Sequence, residues 1–126
     1  MRLGVSGYSF MQYELQADIH ANMPKKPSVF ESRCFYGQLQ MILVCILPAH
    51  PLFTPQPVRR LLALVHTCET NGLDATLSPV TYTKMRSMTE VIELSAISCV
   101  VGRVGFGTGQ CWGIIDRSKG LVDVFN

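Results

Sequence analysis

The stretch VGRVGFGTGQCWGII, residues 101–115, decides the fold class of this chain. β-prone runs flank the glycine-rich segment GFGTG at 105–109, and two such runs around a short glycine-rich turn predict a β-hairpin. A dinucleotide-binding loop needs a helix after its glycines, whereas residues 112–115 have the composition of a strand. The stretch therefore predicts an all-β protein in which the glycines serve a turn through positive φ angles.

Further strands are predicted from alternation and from apolar runs. Residues 8–20 alternate, which assigns Phe10 and Tyr13 to one buried face and Gln12 to a wet face. Residues 35–47 begin half-polar and end apolar, so their second half is predicted to be buried on both faces. Shorter β-prone runs lie at 80–83, 90–94 and 121–125.

Residues 58–71 fit two structures. The apolar spacing fits a helix with Gly72 as its C-cap, and it also fits a buried strand. Periodicity cannot distinguish the two in so short a run. Because the neighbouring elements are predicted strands, a strand is favoured. The fold class expected is all-β or mainly β: a small, partly open β-barrel or barrel-like sandwich of about 6–8 short strands. Residues 1–126 are predicted to form a single domain of this kind.

Composition limits the classes of function. The chain has 126 residues, 48% of them apolar, and a net charge of +2, which does not by itself indicate a nucleic-acid or membrane partner. No apolar run reaches about 18 residues and no signal peptide is visible, so an intracellular protein, nuclear or cytoplasmic, is predicted. The cysteines show no close pairs of the zinc-binding kind, which predicts free thiols at Cys34, Cys45, Cys68, Cys99 and Cys111.

Several motifs occur in a fixed order: FYGQL at 35–39, LLALV at 61–65, EVIELSAI at 90–97, VGRV at 101–104 and WGIIDRS at 112–118. The ordered series resembles a C-terminal domain of transposable-element-associated proteins of basidiomycetes, the mushroom-forming fungi. The resemblance covers residues 7–125, and it implies that Met1 begins a fragment or a remnant of a longer protein. A weaker likeness is to bromo-adjacent-homology-like small β-barrels, which bind chromatin or other proteins and catalyse nothing.

Catalytic constellations are sparse. His66 and Cys68 are two apart and share a face if their run is a strand, but such neighbours are more often packing partners than a catalytic dyad. Glu90 and Glu93 would face opposite sides of a strand and make a poor acid–base pair. The chain is therefore predicted not to be an enzyme, with no catalytic residue, no metal site and no cofactor.

Basic residues gather near the hairpin in the sequence. If the loops converge, a phosphate-binding edge with an aromatic stacking surface is expected from Arg103, Trp112, Arg117, Lys119 and Lys84. The function expected first is a non-catalytic interaction module that binds protein or chromatin. The alternative is a nucleic-acid-binding barrel that uses this edge. No membrane partner is expected, and an exposed apolar surface would suit a homo-oligomer.

Overall fold

The computed structural model describes residues 2–107 and 110–118, which form one antiparallel sheet of seven strands. A single 3-10 turn, Leu94–Ala96, interrupts them. The all-β class and the strand number are confirmed, although the first two strands are long, at 17 and 18 residues. Lys119 and the run at 121–125 lie outside the described residues. The strands are β1 (Arg2–Asp18), β2 (Phe30–Leu47), β3 (Val58–Thr67), β4 (Thr81–Tyr82), β5 (Glu90–Glu93), β6 (Ile97–Phe106) and β7 (Cys111–Ile115).

The strand order across the sheet is β4-β7-β6-β1-β2-β3-β5, with β1 at its centre. The strand preferred for the ambiguous run is confirmed by β3, which pairs with β2 and β5. The sheet is not closed, but the chain after β4 returns to the end of β3. There the Glu69 N–H donates to the Lys84 carbonyl at 3.0 Å and the Arg86 N–H to the Thr67 carbonyl at 2.8 Å. This arrangement agrees with the expected partly open barrel or barrel-like sandwich.

Two hydrophobic clusters lie on opposite faces of the central strands, because successive side chains of a strand alternate between faces. The first contains Phe10, Cys34, Tyr36, Cys68, Val80, Tyr82, Val101 and Ile114. The second contains Tyr13, Leu39, Ala63, Val65 and Ile92. The central strands are therefore covered on both faces.

Two predictions about burial are wrong. Phe10 and Tyr13 belong to different clusters, and Gln12, expected in water, is 5% exposed with its amide 2.9 Å from the Cys34 sulfur. Since both faces of β1 are covered, the alternation of its side chains does not distinguish a solvent-exposed face from a buried one. The end of β2, expected to be buried, is open: Ile46 is 69% and Leu47 43% exposed, because only β3 covers this part of the strand.

A buried hydroxyl holds the first cluster together. Tyr36 is fully buried, and its hydroxyl donates to Asp116 Oδ2 at 3.0 Å and accepts the Ala75 N–H at 2.9 Å. Burial raises the pKa of Tyr36 above its ordinary value, so the proton needed for the bond to Asp116 stays in place. One side chain on β2 thus fixes the loop before β4 and the segment after β7.

Replacing Gly37 by alanine tests how closely β2 and β3 approach. The added Cβ would lie 2.5 Å from Val65 Cγ1 and 2.9 Å from the His66 carbonyl oxygen. We expect Gly37→Ala to lower the free energy of unfolding by about 1–3 kcal/mol in urea denaturation. Gly102→Ala is the matched control, because its Cβ meets nothing nearer than 3.7 Å, and it should change stability by less than about 0.5 kcal/mol. Equal effects of the two substitutions would contradict this account.

Candidate interaction surface

The glycines of the β6–β7 hairpin have two distinct roles. Gly107 has a φ angle of +58°, which confirms the expected glycine turn at this position. Gly105 instead leaves room for a ring, because a Cβ there would be 3.4 Å from Trp112 Cζ3. Gly113 does the same for Phe106, whose Cε2 would lie 2.7 Å from its Cβ. The hairpin is thus held by two aromatic rings that lie across glycines of the opposite strand.

Arg103 is part of the packed structure of this hairpin. Its guanidinium lies 3.9 Å from the centre of the Trp112 ring and 4.2 Å from the centre of the Phe10 ring. The same group donates to the Tyr82 hydroxyl at 3.0 Å. Cation–π contacts on two rings and a hydrogen bond engage the guanidinium within the fold. The structure therefore brings Arg103 and Trp112 together, and the guanidinium contacts the indole ring directly.

The other members of the expected basic edge are separated. β4 runs antiparallel to β7, with Tyr82 opposite Trp112. Lys84, two residues after Tyr82, therefore lies towards Cys111, the hairpin end of β7. Arg117 follows the opposite end of β7 and is exposed. The Lys84 ammonium lies 4.0 Å from the Glu69 carboxylate. Because Lys84 and Arg117 lie towards opposite ends of β7, they do not form one continuous edge with Arg103. Lys119 lies outside the described residues.

The Cys68 and His66 pair does not resemble an activated nucleophile. Cys68 is buried, and this burial raises the pKa of its thiol to about 11. His66 is held elsewhere, with Nε2 2.6 Å from the Arg86 carbonyl oxygen. All five cysteines are free thiols, and residues 2–107 and 110–118 contain no group of three or more His, Cys, Asp or Glu able to hold a metal.

The most exposed apolar segment combines a loop with the end of β2, which the sequence pattern predicted to be buried. Val44–Leu47 pair only with Val58–Leu61 in the described part of the chain, and loop 48–57 joins them. We call residues 44–61 the apolar arm. Leu52 is 82% and Phe53 80% exposed at its tip. The signal that could have revealed it is the proline-rich loop, since four prolines within 48–57 disfavour pairing with a further strand there.

The charge of this region has one sign. Residues 32–68 contain no Asp or Glu, and the arm carries Arg59 and Arg60. Arg60 is paired with Glu93 of β5, its NH1 lying 2.7 Å from Oε1. Arg59 is exposed and forms no ion pair with any residue of the described ranges. The arm therefore presents apolar side chains beside Arg59, whose charge is unpaired in the described part of the chain.

Replacing Arg103 separates a structural role from a binding role. We expect Arg103→Ala to lower the free energy of unfolding by about 2 kcal/mol, because two ring contacts and a hydrogen bond are lost. Arg103→Lys should recover little of this, since an ammonium lacks the planar stacking surface. Urea unfolding followed through Trp112, the single tryptophan, gives the measurement. Arg117→Ala is the exposed control, and a loss there as large as at Arg103 would refute the assignment.

Alkylation tests whether Cys68 is chemically silent. A pKa of about 11 in place of the ordinary 9.0 lowers the thiolate fraction at mildly alkaline pH by about 100-fold, and burial excludes the reagent. Iodoacetamide should therefore modify Cys68 at least that much more slowly in the native protein than in urea, as measured by peptide mass spectrometry. The half-buried Cys45 of the arm is the internal control. Preferential native labelling of Cys68 would restore the nucleophile hypothesis.

No family model, curated protein or solved structure matches this chain. Within residues 2–107 and 110–118, no helix has the length and apolar character needed to cross a membrane. The function of the chain is therefore inferred from the surface that its strands present.

Proposed function

We propose that the chain is a non-catalytic interaction module that binds a partner protein through the apolar arm. The observation that carries this proposal is the exposure of Leu52 and Phe53 at the tip of a two-stranded projection. Burying a leucine or phenylalanine side chain contributes about 1.5–3 kcal/mol each, which is the scale of a binding hot spot. A chromatin protein is the partner class that the resemblance to small β-barrels implies.

The tip is ordered before any partner arrives, which supports a binding role. The His50 N–H donates to the Thr54 carbonyl at 2.6 Å, and the Phe53 N–H donates to the His50 carbonyl at 3.2 Å. The Leu52 N–H donates to His50 Nδ1 at 3.1 Å, and the rings of His50 and Phe53 lie 5.0 Å apart. A turn held in this way loses little conformational entropy on binding.

The nucleic-acid alternative has less support from the side-chain contacts. Arg103 and Trp112 are occupied by each other, and Lys84 and Arg117 belong to opposite ends of β7. A relation to basidiomycete transposable-element proteins and a nuclear location remain predictions drawn from the resemblance.

Site-specific photo-crosslinking tests the arm. A photoreactive phenylalanine analogue at Phe53 should give a discrete adduct in cells that express the protein, and Leu52→Ser should abolish it. The analogue placed at Leu77, which is 78% exposed away from the arm, is the matched control.

The mass of the adduct identifies the partner class. An adduct of twice the 14.0 kDa chain mass would indicate a homo-oligomer, and any other discrete mass a different protein. Identical labelling from positions 53 and 77 would contradict a binding role for the arm.

A further inference from the structure

The outer edge of β3 is only partly paired. β5 covers β3 from Leu62 to Val65, and Val58–Leu61 pair with β2 alone within the described residues. An unpaired strand edge presents a row of N–H and C=O groups that can accept another strand. The sheet therefore has a four-residue gap along the β3 side of the apolar arm.

A cleft lies where β5 ends beside this gap. It measures about 420 Å³ and is lined by Arg59, Arg60, Leu61, Glu93, Leu94 and Ser95. β5 ends at Glu93, opposite Leu62, and the chain leaves the sheet there as the 3-10 turn Leu94–Ala96. Among the described residues, no strand therefore continues the line of β5 alongside Val58–Leu61. An extended segment placed in this line would pair with the free edge of β3.

The side chains along the gap define what such a segment must carry. Leu61 and Arg59 are two apart and share one face of β3, whereas Arg60 and Val58 share the other. The charge of Arg60 is already balanced by Glu93, whereas Arg59 forms no ion pair within residues 2–107 and 110–118. Residues directly opposite each other on antiparallel strands contact each other, and opposite charges at such positions are favourable.

We propose that the free edge of β3 binds an extended, acidic segment of a partner protein, which joins the sheet antiparallel to β3 with its carboxylate opposite Arg59. This binding mode rests on the proposed function and specifies the partner segment as acidic and extended. In the direction of β5, the segment meets Leu61, Arg60, Arg59 and Val58 in turn. The matching pattern is apolar, any residue, acidic, apolar.

A second copy of this chain is a poor occupant of the edge. Two β3 edges paired with each other would bring Arg59 and Arg60 of both copies together, and Glu93 is already engaged by Arg60. Residues 32–68 contain no acid that could balance Arg59. Like charges on neighbouring strands oppose pairing, and charged edge residues commonly serve that purpose. The same charge favours an acidic segment, so the edge discriminates between the two partners.

Synthetic peptides test the proposal. The probe is an eight-residue peptide, acetylated and amidated, with Val-Thr-Asp-Val at its centre; its partner probe carries lysine in place of aspartate. Titration into the full chain should give about tenfold tighter binding of the aspartate peptide. Amide shifts in nuclear magnetic resonance spectra should change at Val58–Leu61 and not at β4, the opposite edge of the sheet.

Two variants and one modified peptide complete the design. Arg59→Glu should reverse the preference between the two peptides, whereas Arg117→Glu, exposed at the far end of β7, should leave it unchanged. N-methylation of alternate peptide amides should abolish binding, because it removes the strand hydrogen bonds. Circular dichroism confirms that each variant is folded.

The peptide experiments test the β3 edge separately from the tip of the arm. Absence of binding at millimolar peptide, equal binding of the two peptides, or binding that survives N-methylation overturns the proposal. Crosslinking from Phe53 that persists after any of these results leaves the arm as a binding surface and removes only the β3 edge.

Discussion

The packing of the first hydrophobic cluster depends on the buried hydroxyl of Tyr36. A phenol buried without partners is costly, so its oxygen must meet the Ala75 amide and the Asp116 carboxylate. Those partners lie on the loop before β4 and after β7, and both must fold back over β2. Gln12 completes the set, with its amide 3.5 Å from the same oxygen. This oxygen therefore ties segments that are distant in the sequence to the first cluster.

The length of β2 links the folded body to the proposed binding surface. Its first half lies within both clusters, through Cys34, Tyr36 and Leu39, and its second half continues outwards as one side of the arm. A strand anchored over so much of its length holds the arm in a fixed direction. The arm therefore contributes almost nothing to the cores, while the cores determine where the arm points.

Local pattern predicted the strands, but not which faces are covered. Alternation located β1, the apolar run located β2, and the glycine-rich turn located the β6–β7 hairpin. Gln12 was misassigned because its burial depends on β2 and β6, which pair with β1 from far along the chain. Arg103 was expected in a phosphate site, since nothing local shows that Phe10 and Trp112 enclose its guanidinium. The arm was missed because composition alone cannot show where β1 stops covering β2.

The central position of β1 also governs how the chain is assembled during synthesis. Gln12 and its partner Cys99 are 87 residues apart, which corresponds to roughly 4–17 s of translation. During that interval β1, β2 and β3 exist as hairpins whose first cluster lacks β6 and β7. The apolar side chains on one face of the nascent sheet therefore stay exposed to solvent until β6 and β7 have been synthesised. Slower elongation after β3 would lengthen the time for which this apolar surface is exposed to misassembly.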